Sequence, residues 1–432
     1  MSKSLLEKLK EHSVKPYHMP GHKRHTIAEG LPYDIDITEI EGFDNLHELQ
    51  GVLKEIADRA ASLYKSRFSF PLVNGSTCGV LAGIYSLTRE NKNILIARNC
   101  HKSVYNAVEL LNLNPTYIMP EITDLGIMGR ITAESVDKAL SNSHIGTVVI
   151  TSPTYEGVIS DVAGIYEVCK KHGARLFVDS AHGAHFIDSA LPCDIAVMSL
   201  HKTLPALTQT AVLNVYSDCV DTDTVRYALS IFETSSPSYV LMASIDECLR
   251  YVAENKKDFS ELSANLSYFY ENSVALDNMK VFHFDDPTKI IIAAKDGYDL
   301  ADKLRQHNIE VEMASRHYVL AMVTMVDKIN DLQILLRALY RIDKTLPPYE
   351  IGSIPEFSLP ESKIASGESE LLDISECCGK ISAEYIWAYP PGVPIVTPNE
   401  VIDQKIIDYL KSKKHLKSTK GKYPKIYVKK EN

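Results

Sequence analysis

The chain has 432 residues, of which 45% are hydrophobic and 24% are charged, and this balance is typical of an ordinary globular protein. Its length exceeds one typical domain, and its formal net charge of -10 argues against nucleic acid as the main partner. The sequence contains no run of about 18 apolar residues that would predict a membrane span. The first residues lack the apolar centre of a secretion signal, and the eight cysteines are scattered, which favours a reducing, cytoplasmic setting.

From about residue 55 to residue 215, short apolar runs alternate with amphipathic stretches. Buried strands are predicted at the apolar runs Asn93–Arg98, Thr147–Pro153, Ala174–Ser180 and Ile195–Leu200. Helices are predicted between them at Val80–Thr88, Ser103–Leu111 and Ile165–His172. This rhythm predicts an α/β fold in which helices flank a mainly parallel sheet. We expect an N-terminal arm over residues 1–50 and a large domain over residues 51–225.

After residue 225 the pattern predicts a smaller α+β domain. The predicted strands are Lys289–Lys295, Glu310–Ala314 and Tyr318–Thr324, and the predicted helices are Tyr298–His307 and Lys328–Ile342. The stretch Leu346–Gly367 is predicted to be a surface connection, and Ile386–Glu400 is too rich in proline to predict regular structure. The lysine-rich end after Lys411 is predicted to be a helix end and a solvated tail. Residues 226–432 would then hold a linker, a C-terminal α+β domain and a basic tail.

Polar residues that can carry chemistry follow the predicted strands, where parallel sheets bind their ligands. Lys202 lies in SLHKTLPALTQ after one strand, and a lysine whose pKa is lowered by burial can form an imine with an aldehyde. Asp179 ends another strand in FVDSAHGAHF, and its carboxylate can keep a pyridine nitrogen protonated. Taken alone, an exposed loop lysine and a helix-capping aspartate are the ordinary alternatives.

Two further segments precede these residues in the chain. NGSTCG, Asn74–Gly79, comes just before a predicted helix, where backbone N–H groups and the hydroxyls of Ser76 and Thr77 can cradle a phosphate. His101 in RNCHKSVYNA follows the next strand, and its ring can stack on a planar cofactor. Each segment alone is also compatible with a simple helix cap or a polar helix start.

Along the chain, these segments provide in this order a phosphate turn, an aromatic ring, an acidic partner and an imine lysine, all at one predicted sheet. The sequence resembles the Orn/Lys/Arg decarboxylase family of fold-type I pyridoxal-phosphate enzymes, in a short form without the N-terminal wing domain. The remaining motifs that carry the resemblance are YHMPGHKR (Tyr17–Arg24), DITEIEGFDNLH (Asp36–His47), TSPTYEGVISD (Thr151–Asp161), TSSPSYVLMASID (Thr234–Asp246) and AYPPGVPIVTPNE (Ala388–Glu400). The resemblance covers most of the chain.

The resemblance implies pyridoxal 5′-phosphate as the cofactor. It implies Lys202 as the Schiff-base residue, Asp179 against the pyridine nitrogen and His101 over the ring. The other implied cofactor contacts are Ser76, Thr77, Ser199 and His201 around the phosphate, Thr154 and His182 beside the ring, and Ser235 and Ser236 at the phosphate of a partner chain. A homodimer is therefore expected. No metal is expected, because the histidines of HMPGHKRH lack an acidic or cysteine partner at ligand spacing.

The resemblance further implies decarboxylation of arginine, lysine or ornithine to the amine and CO2, an activity associated with polyamine biosynthesis. The sequence does not choose among the three substrates, nor between Lys202 and His182 as the donor of the Cα proton. An aminotransferase or another lyase on the same scaffold is the alternative, followed by a non-catalytic regulatory homologue. The chain departs from the family at Ser180 and Asn45, where acidic residues are usual, so that Asp44 is the remaining local carboxylate for the distal cation of the substrate.

Overall fold

The computed structural model describes residues 3–350, 368–388, 392–413 and 415–430. The helices are α1 (Leu5–Glu11), α2 (Val52–Tyr64), α3 (Gly75–Leu87), α4 (Lys102–Leu110), α5 (Ala133–Ser141), α6 (Val162–Lys171), α7 (Leu200–Thr203), α8 (Thr222–Phe232), α9 (Tyr239–Glu254), α10 (Lys257–Ser273), α11 (Gly297–Gln306), α12 (Ile329–Asp343) and α13 (Gln404–Lys411). The strands are β1 (Phe68–Leu72), β2 (Asn93–Ala97), β3 (Asn114–Ile118), β4 (Thr147–Thr151), β5 (Arg175–Asp179), β6 (Ile195–Met198), β7 (Ala211–Val215), β8 (Lys280–Phe282), β9 (Lys289–Ala293), β10 (Met313–Ala314), β11 (Tyr318–Met322), β12 (Ser369–Asp373), β13 (Ile386–Ala388), β14 (Pro394–Val396), β15 (Leu416–Ser418) and β16 (Lys425–Lys429).

Seven strands form the central sheet in the order β1-β7-β6-β5-β4-β2-β3. Strand β7 pairs antiparallel with both β1 and β6, and the other neighbours pair in parallel. The central strands are continuous apolar runs because helices cover both faces of the sheet. The predicted α/β fold with a mainly parallel sheet is confirmed, and β2, β4, β5 and β6 lie within the four predicted runs.

Helix α3 lies unusually close to the sheet because two glycines face it. A Cβ atom at Gly79 would come within 2.7 Å of the Leu72 side chain, and one at Gly83 within 2.3 Å of the Phe177 ring. The helix begins at Gly75, whose φ of +72° is a left-handed conformation that favours glycine. The close packing carries the first turn of α3 to the carboxyl-end edge of the sheet.

Outside the core of the central sheet, the described residues form four further apolar cores, one of which joins Ile127 to the inner face of β9 and β11. Helix α1 joins α2 and α9 in one core, and the Leu5 N–H donates to the Asp246 carboxylate at 2.9 Å. Helices α10, α11 and α12 cover a four-stranded sheet in the order β10-β11-β9-β8, which is the smaller α+β unit expected after residue 225. The last core is formed by β12–β16 and α13. The domain limits expected from the sequence stay predictions.

Two expectations about the end of the chain were wrong. The proline-rich segment Ile386–Glu400 contains β13 and β14, which pair antiparallel, and the lysine-rich end contains β15 and β16, which pair with β13 and β12. These strands form because Ile386, Val396 and Val428 bury their side chains in one small core. The predicted connection Leu346–Gly367 lies mostly outside the described residues. Across the part of the chain that the structure describes, no helix combines the length and apolar character needed to cross a membrane.

Candidate active site

One cleft opens where β4, β5 and β6 end and where α3 and α4 begin. It encloses about 1290 Å³, counting the part that is open to solvent. The small α+β unit closes one side through β10 and β11, and the C-terminal core closes another through residues near β14 and α13. The predicted site residues that line this cleft are Ser76, His101, Thr154, Asp179, His182 and Lys202.

Lys202 lies in the single turn α7, directly after β6. Its Nζ is 3.1 Å from Nε2 of His182. Burial lowers the pKa of Lys202 from its ordinary value, and the carboxylates of Asp179 and Glu312 oppose that shift. The structure therefore holds a largely buried amine whose neutral form is more accessible than that of a surface lysine.

Asp179 is the last residue of β5 and is 3% exposed. Its Oδ1 accepts a hydrogen bond from the Ala181 N–H at 3.2 Å. Burial raises the pKa of Asp179, and the positive charge of Lys202 lowers it. A cation placed against this carboxylate would favour its charged form.

Both histidines of the site are held as neutral rings. Burial, followed by the charge of Lys202, lowers the pKa of His101 to about 3 and the pKa of His182 well below its ordinary value. His101 caps α4, because its Nδ1 accepts from the Ser103 N–H. The Tyr155 ring meets His182 edge-on, with 4.8 Å between ring centroids. When Lys202 is charged, its Nζ donates to Nε2 of His182, and the ring proton then lies on Nδ1.

The residues expected around a phosphate are only partly gathered in one chain. Ser76 lines the cleft in the first turn of α3, whereas Thr77 is exposed. Ser199 is fully buried, and its Oγ has no hydrogen-bond partner among the described residues. His201 directs Nδ1 to the Thr210 carbonyl oxygen at 2.9 Å.

Ser235 and Ser236 lie outside this cleft. Both are exposed, between α8 and α9, and the adjacent Thr234 N–H donates to the Asn74 side chain at 3.3 Å, just before α3 begins. Exposure is compatible with contact to a partner chain, and the expected role of the two serines stays a prediction.

Asp44 also lies outside the cleft of this chain. Its carboxylate accepts hydrogen bonds from the N–H groups of Asn45, Gln50, Gly51 and Leu53, and therefore fixes the entry to α2. The side chain has a local structural role that the sequence did not predict. Recognition of a distal cation by Asp44 stays a prediction that a single chain does not test.

The Ser180 side chain lines a different small hollow, with Pro153 and Met198. Adjacent residues after a strand point to opposite sides, so Ser180 points away from the cleft that Asp179 lines. Ser180 therefore lies next to Asp179 in the chain without lining the same cleft, and its effect on the site stays a prediction.

The sequence predicted no role for several residues that lie in or beside the cleft and contact other units of the fold. Tyr155 and Glu156 lie in the TSPTYEG motif but received no role, and Tyr318 donates its hydroxyl to Glu156 Oε1 at 3.0 Å from the smaller unit. Arg98 was seen only as a strand end, although it bonds Glu400 of the C-terminal core. Nothing local in the sequence pairs residues that are 162 and 302 positions apart.

The donor set fits the pyridoxal phosphate that the resemblance implies. The buried Ser199 hydroxyl and the Nδ1 of His182 are polar groups without protein partners among the described residues, and a ligand bound in the cleft would satisfy them. A helix N-terminus, a neutral histidine ring, a buried carboxylate and a buried amine surround the same cleft.

Comparisons with known proteins agree with this geometry. The sequence model described as Orn/Lys/Arg decarboxylase, major domain, matches residues 2–294, and that of the C-terminal domain matches residues 358–424. An arginine decarboxylase of Bacillus subtilis (strain 168) is 31% identical over 93% of this chain and 91% of that protein.

Solved structures share the fold at lower identity. The lysine decarboxylase LdcF of Francisella novicida gives a TM-score of 0.83 at 18% identity, covering 98% of this chain and 80% of that one. A serine palmitoyltransferase from S. paucimobilis with bound PLP gives a TM-score of 0.55 at 15% identity, covering 68% of this chain and 77% of that one.

Proposed function

This chain belongs to the Orn/Lys/Arg decarboxylase family, and we propose that it releases CO2 from a basic amino acid with pyridoxal 5′-phosphate as its cofactor. The observation that carries the proposal is the buried Lys202 amine, 3.1 Å from His182 and under the influence of the Asp179 carboxylate. Arginine, lysine and ornithine are the candidate substrates, and a homodimer in the cytoplasm is part of the proposal.

The residues of the cleft have separate tasks in holding the cofactor. Ser76, the first N–H groups of α3 and the unpaired Ser199 hydroxyl would hold its phosphate, since a helix N-terminus favours an anion. His101 would cover the ring, and Asp179 would bind the ring nitrogen. When bound, the cofactor supplies an electron sink for the bond between Cα and the carboxylate.

Lys202 serves first as the amine that binds the aldehyde. Its lowered pKa raises the fraction of neutral amine, which is the nucleophilic form. Asp179 is buried, so its charge acts on the ring nitrogen through a medium of low polarity. Water would weaken that interaction, and the smaller unit and the C-terminal core line two sides of the cleft that holds it.

The reaction ends with a proton added at Cα, where the carboxylate was lost. The proposal assigns that proton to Lys202 Nζ, because His182 is neutral and has a pKa well below its ordinary value. Nε2 of His182 accepts a hydrogen bond from Nζ and so orients the amine.

Turnover of the three amino acids tests the proposal. Purified protein with added cofactor is mixed separately with arginine, lysine and ornithine, and CO2 and the corresponding amine are quantified against a Lys202→Ala control. We expect equal amounts of CO2 and amine from one substrate and none from the control. Release of neither product from any of the three, with cofactor bound at Lys202, would overturn the proposal, and amino transfer to an added keto acid would favour the aminotransferase alternative.

A further inference from the structure

We infer that Glu156 is the residue that selects a cationic side chain in the substrate, an assignment that rests on the proposed function. A basic amino acid carries a positive charge at the end of its side chain, and its recognition calls for a carboxylate inside the cleft. Among the residues that the structure describes, the carboxylates of Asp179 and Glu156 line the cleft, whereas Glu312, whose charge also acts on Lys202, is exposed and does not line it. Asp179 is engaged at the cofactor ring in the proposed function, which leaves Glu156 for the distal cation.

The loop that carries Glu156 is rigid. The Thr154 N–H donates to the Val158 carbonyl oxygen at 2.9 Å, and the Val158 N–H donates back to Thr154 Oγ1 at 3.1 Å. Gly157 has a φ of +88°, and a Cβ atom there would lie 3.0 Å from the Lys289 side chain. The carboxylate is therefore presented on a closed turn that is packed against buried residues.

Glu156 is also held from the side of the smaller unit. It is 9% exposed, and its Oε1 accepts a hydrogen bond from the Tyr318 hydroxyl at 3.0 Å. Burial raises the pKa of Glu156, whereas Tyr318 and the charge of Lys413 lower it. A buried carboxylate with one neutral donor gains more from a bound cation than an exposed one would.

A short series of contacts leads from Lys202 to the residue before Glu156. Lys202 Nζ is 3.1 Å from His182, and the His182 ring meets the Tyr155 ring. Tyr155 and Glu156 both line the cleft that Lys202 lines. An amino acid whose α-carbon is at Lys202 can extend its side chain along Tyr155 toward Glu156.

The cleft has opposite charges available for the two ends of such a substrate. The cationic side chains of Lys202 and Lys413 line the cleft together with Glu156. A neutral side chain such as that of norleucine would bring no cation to Glu156 beyond the charge of Lys413, which disfavours its binding relative to a basic side chain.

The test separates binding from turnover by using the cofactor-bound Lys202→Ala protein. Dissociation constants of arginine, lysine, ornithine and norleucine are measured by calorimetry in that background, with and without Glu156→Gln. Glutamine keeps the size of the side chain and an oxygen that accepts from Tyr318. We expect the basic amino acid that wild-type protein decarboxylates to bind at least about 30-fold more weakly with Glu156→Gln, and norleucine to change less than about threefold.

Three further variants provide the controls. Glu156→Asp keeps the charge and should keep the preference for the basic amino acid over norleucine, while Tyr318→Phe should weaken binding by about threefold to tenfold. Glu310→Gln removes an exposed carboxylate that pairs with Arg305 and should change nothing. The cofactor absorbance and the thermal unfolding midpoint of each variant verify that the protein is folded.

The outcomes distinguish the inference from the function on which it rests. If wild-type protein decarboxylates a basic amino acid and Glu156→Gln binds it within about threefold of the Glu156 protein, the inference is wrong and the function stands. Equal weakening of the basic amino acid and norleucine also overturns it, because Glu156 would then act on the shape of the cleft. Wild-type protein that decarboxylates none of the three overturns the proposed function itself.

Discussion

Arg98 and Lys202 are both buried cations that follow strands of the same sheet, yet their surroundings differ. The Arg98 guanidinium donates to the Tyr105 hydroxyl at 2.9 Å, to the Pro394 carbonyl at 3.0 Å and to Glu400 at 3.3 Å. Lys202 contacts only a neutral histidine ring at 3.1 Å among the hydrogen bonds described for it. The protein surrounds Arg98 with several acceptors, although its Nε makes no hydrogen bond among the described residues and lies 3.3 Å from Glu400 Oε1. Lys202 has a single ring nitrogen at hydrogen-bonding distance, and Ser199 Oγ nearby in the chain has no partner in the same part of the structure.

The two surroundings indicate different roles, because the Arg98 cluster stabilises the fold and the Lys202 cluster provides groups for chemistry. The Arg98 cluster joins the end of β2 to β14, three residues before His101, and so holds the C-terminal core at the edge of the cleft. The Lys202 cluster keeps Ser199 Oγ and His182 Nδ1 without protein partners in the described part of the chain. Buried polar groups without partners reduce stability, and those that line a cleft can be satisfied by a bound ligand.

The largest expected effect comes from removing Lys202, which has fewer protein partners than Arg98. Lys202→Ala should lower turnover of the amino acid substrate by at least about 10³-fold, because the amine that binds the cofactor is lost. The free energy of unfolding should stay the same or rise, since the alanine removes a desolvated amine. Steady-state CO2 release and urea unfolding measure the two effects, and a large loss of stability would contradict the contrast with Arg98.

Arg98→Met is expected to lower the stability of the protein, unlike Lys202→Ala. Removing one member of a buried ion pair leaves Glu400 uncompensated, which should cost about 3–5 kcal/mol of unfolding free energy. Urea unfolding measures this loss. Arg305→Met, which removes an exposed arginine paired with Glu310, is the matched control and should cost less than about 1 kcal/mol. Equal losses of unfolding free energy with Arg98→Met and Arg305→Met would show that the Arg98 cluster does not stabilise the fold.

The carboxylate of Glu233 extends the comparison of Arg98 and Lys202, because its contribution to stability depends on pH. Glu233 is buried and accepts from the Val73 N–H at 2.7 Å, just before α3, and within the described ranges no cation comparable to Arg98 acts on it. Burial raises the pKa of Glu233 from 4.5 to about 7. The folded state therefore binds this proton more tightly than the unfolded chain, and the associated stability is present below pH 4.5 and lost as the pH rises to about 7.

Glu233→Gln should remove that dependence. Between the two ends of this pH window, wild-type protein should lose about 3 kcal/mol of unfolding free energy relative to the glutamine variant, as the pKa difference implies. Urea unfolding of both proteins across the window measures the difference. A constant difference between them would mean that Glu233 titrates at its ordinary pKa.

The smallest effect is expected at the unpaired serine. Ser199→Ala should leave the unfolding free energy of the cofactor-free protein unchanged and weaken cofactor binding by about tenfold, because one hydrogen bond to the phosphate is lost. Ser69→Ala is the matched control, since Ser69 is also buried but its Oγ donates to Asn214. That variant should lose about 1 kcal/mol of stability and bind the cofactor normally. Normal cofactor binding by Ser199→Ala, together with weaker binding by Ser69→Ala, would contradict the cofactor role of Ser199.

Much of the large domain could be predicted because its signals are local. A continuous apolar run such as Thr147–Thr151 must be buried on both faces, and Asp179 or Lys202 placed directly after such a run must lie at the carboxyl edge of the sheet. Strand β7 was missed although Ala211–Val215 is apolar. The short strands β13 and β14 were missed because proline there argues against a ladder, whereas each strand needs only a few backbone hydrogen bonds.

The sequence by itself determined the sheet, the order of the motifs and the family, because each depends on residues that are close together in the chain. Only the tertiary structure decided that Asp44 binds backbone N–H groups while Glu156 lines the cleft. Both are carboxylates within motifs, and no pattern of neighbours distinguishes them. The distinction depends on Tyr318, which comes from another unit, and on the burial that the folded chain imposes on Glu156.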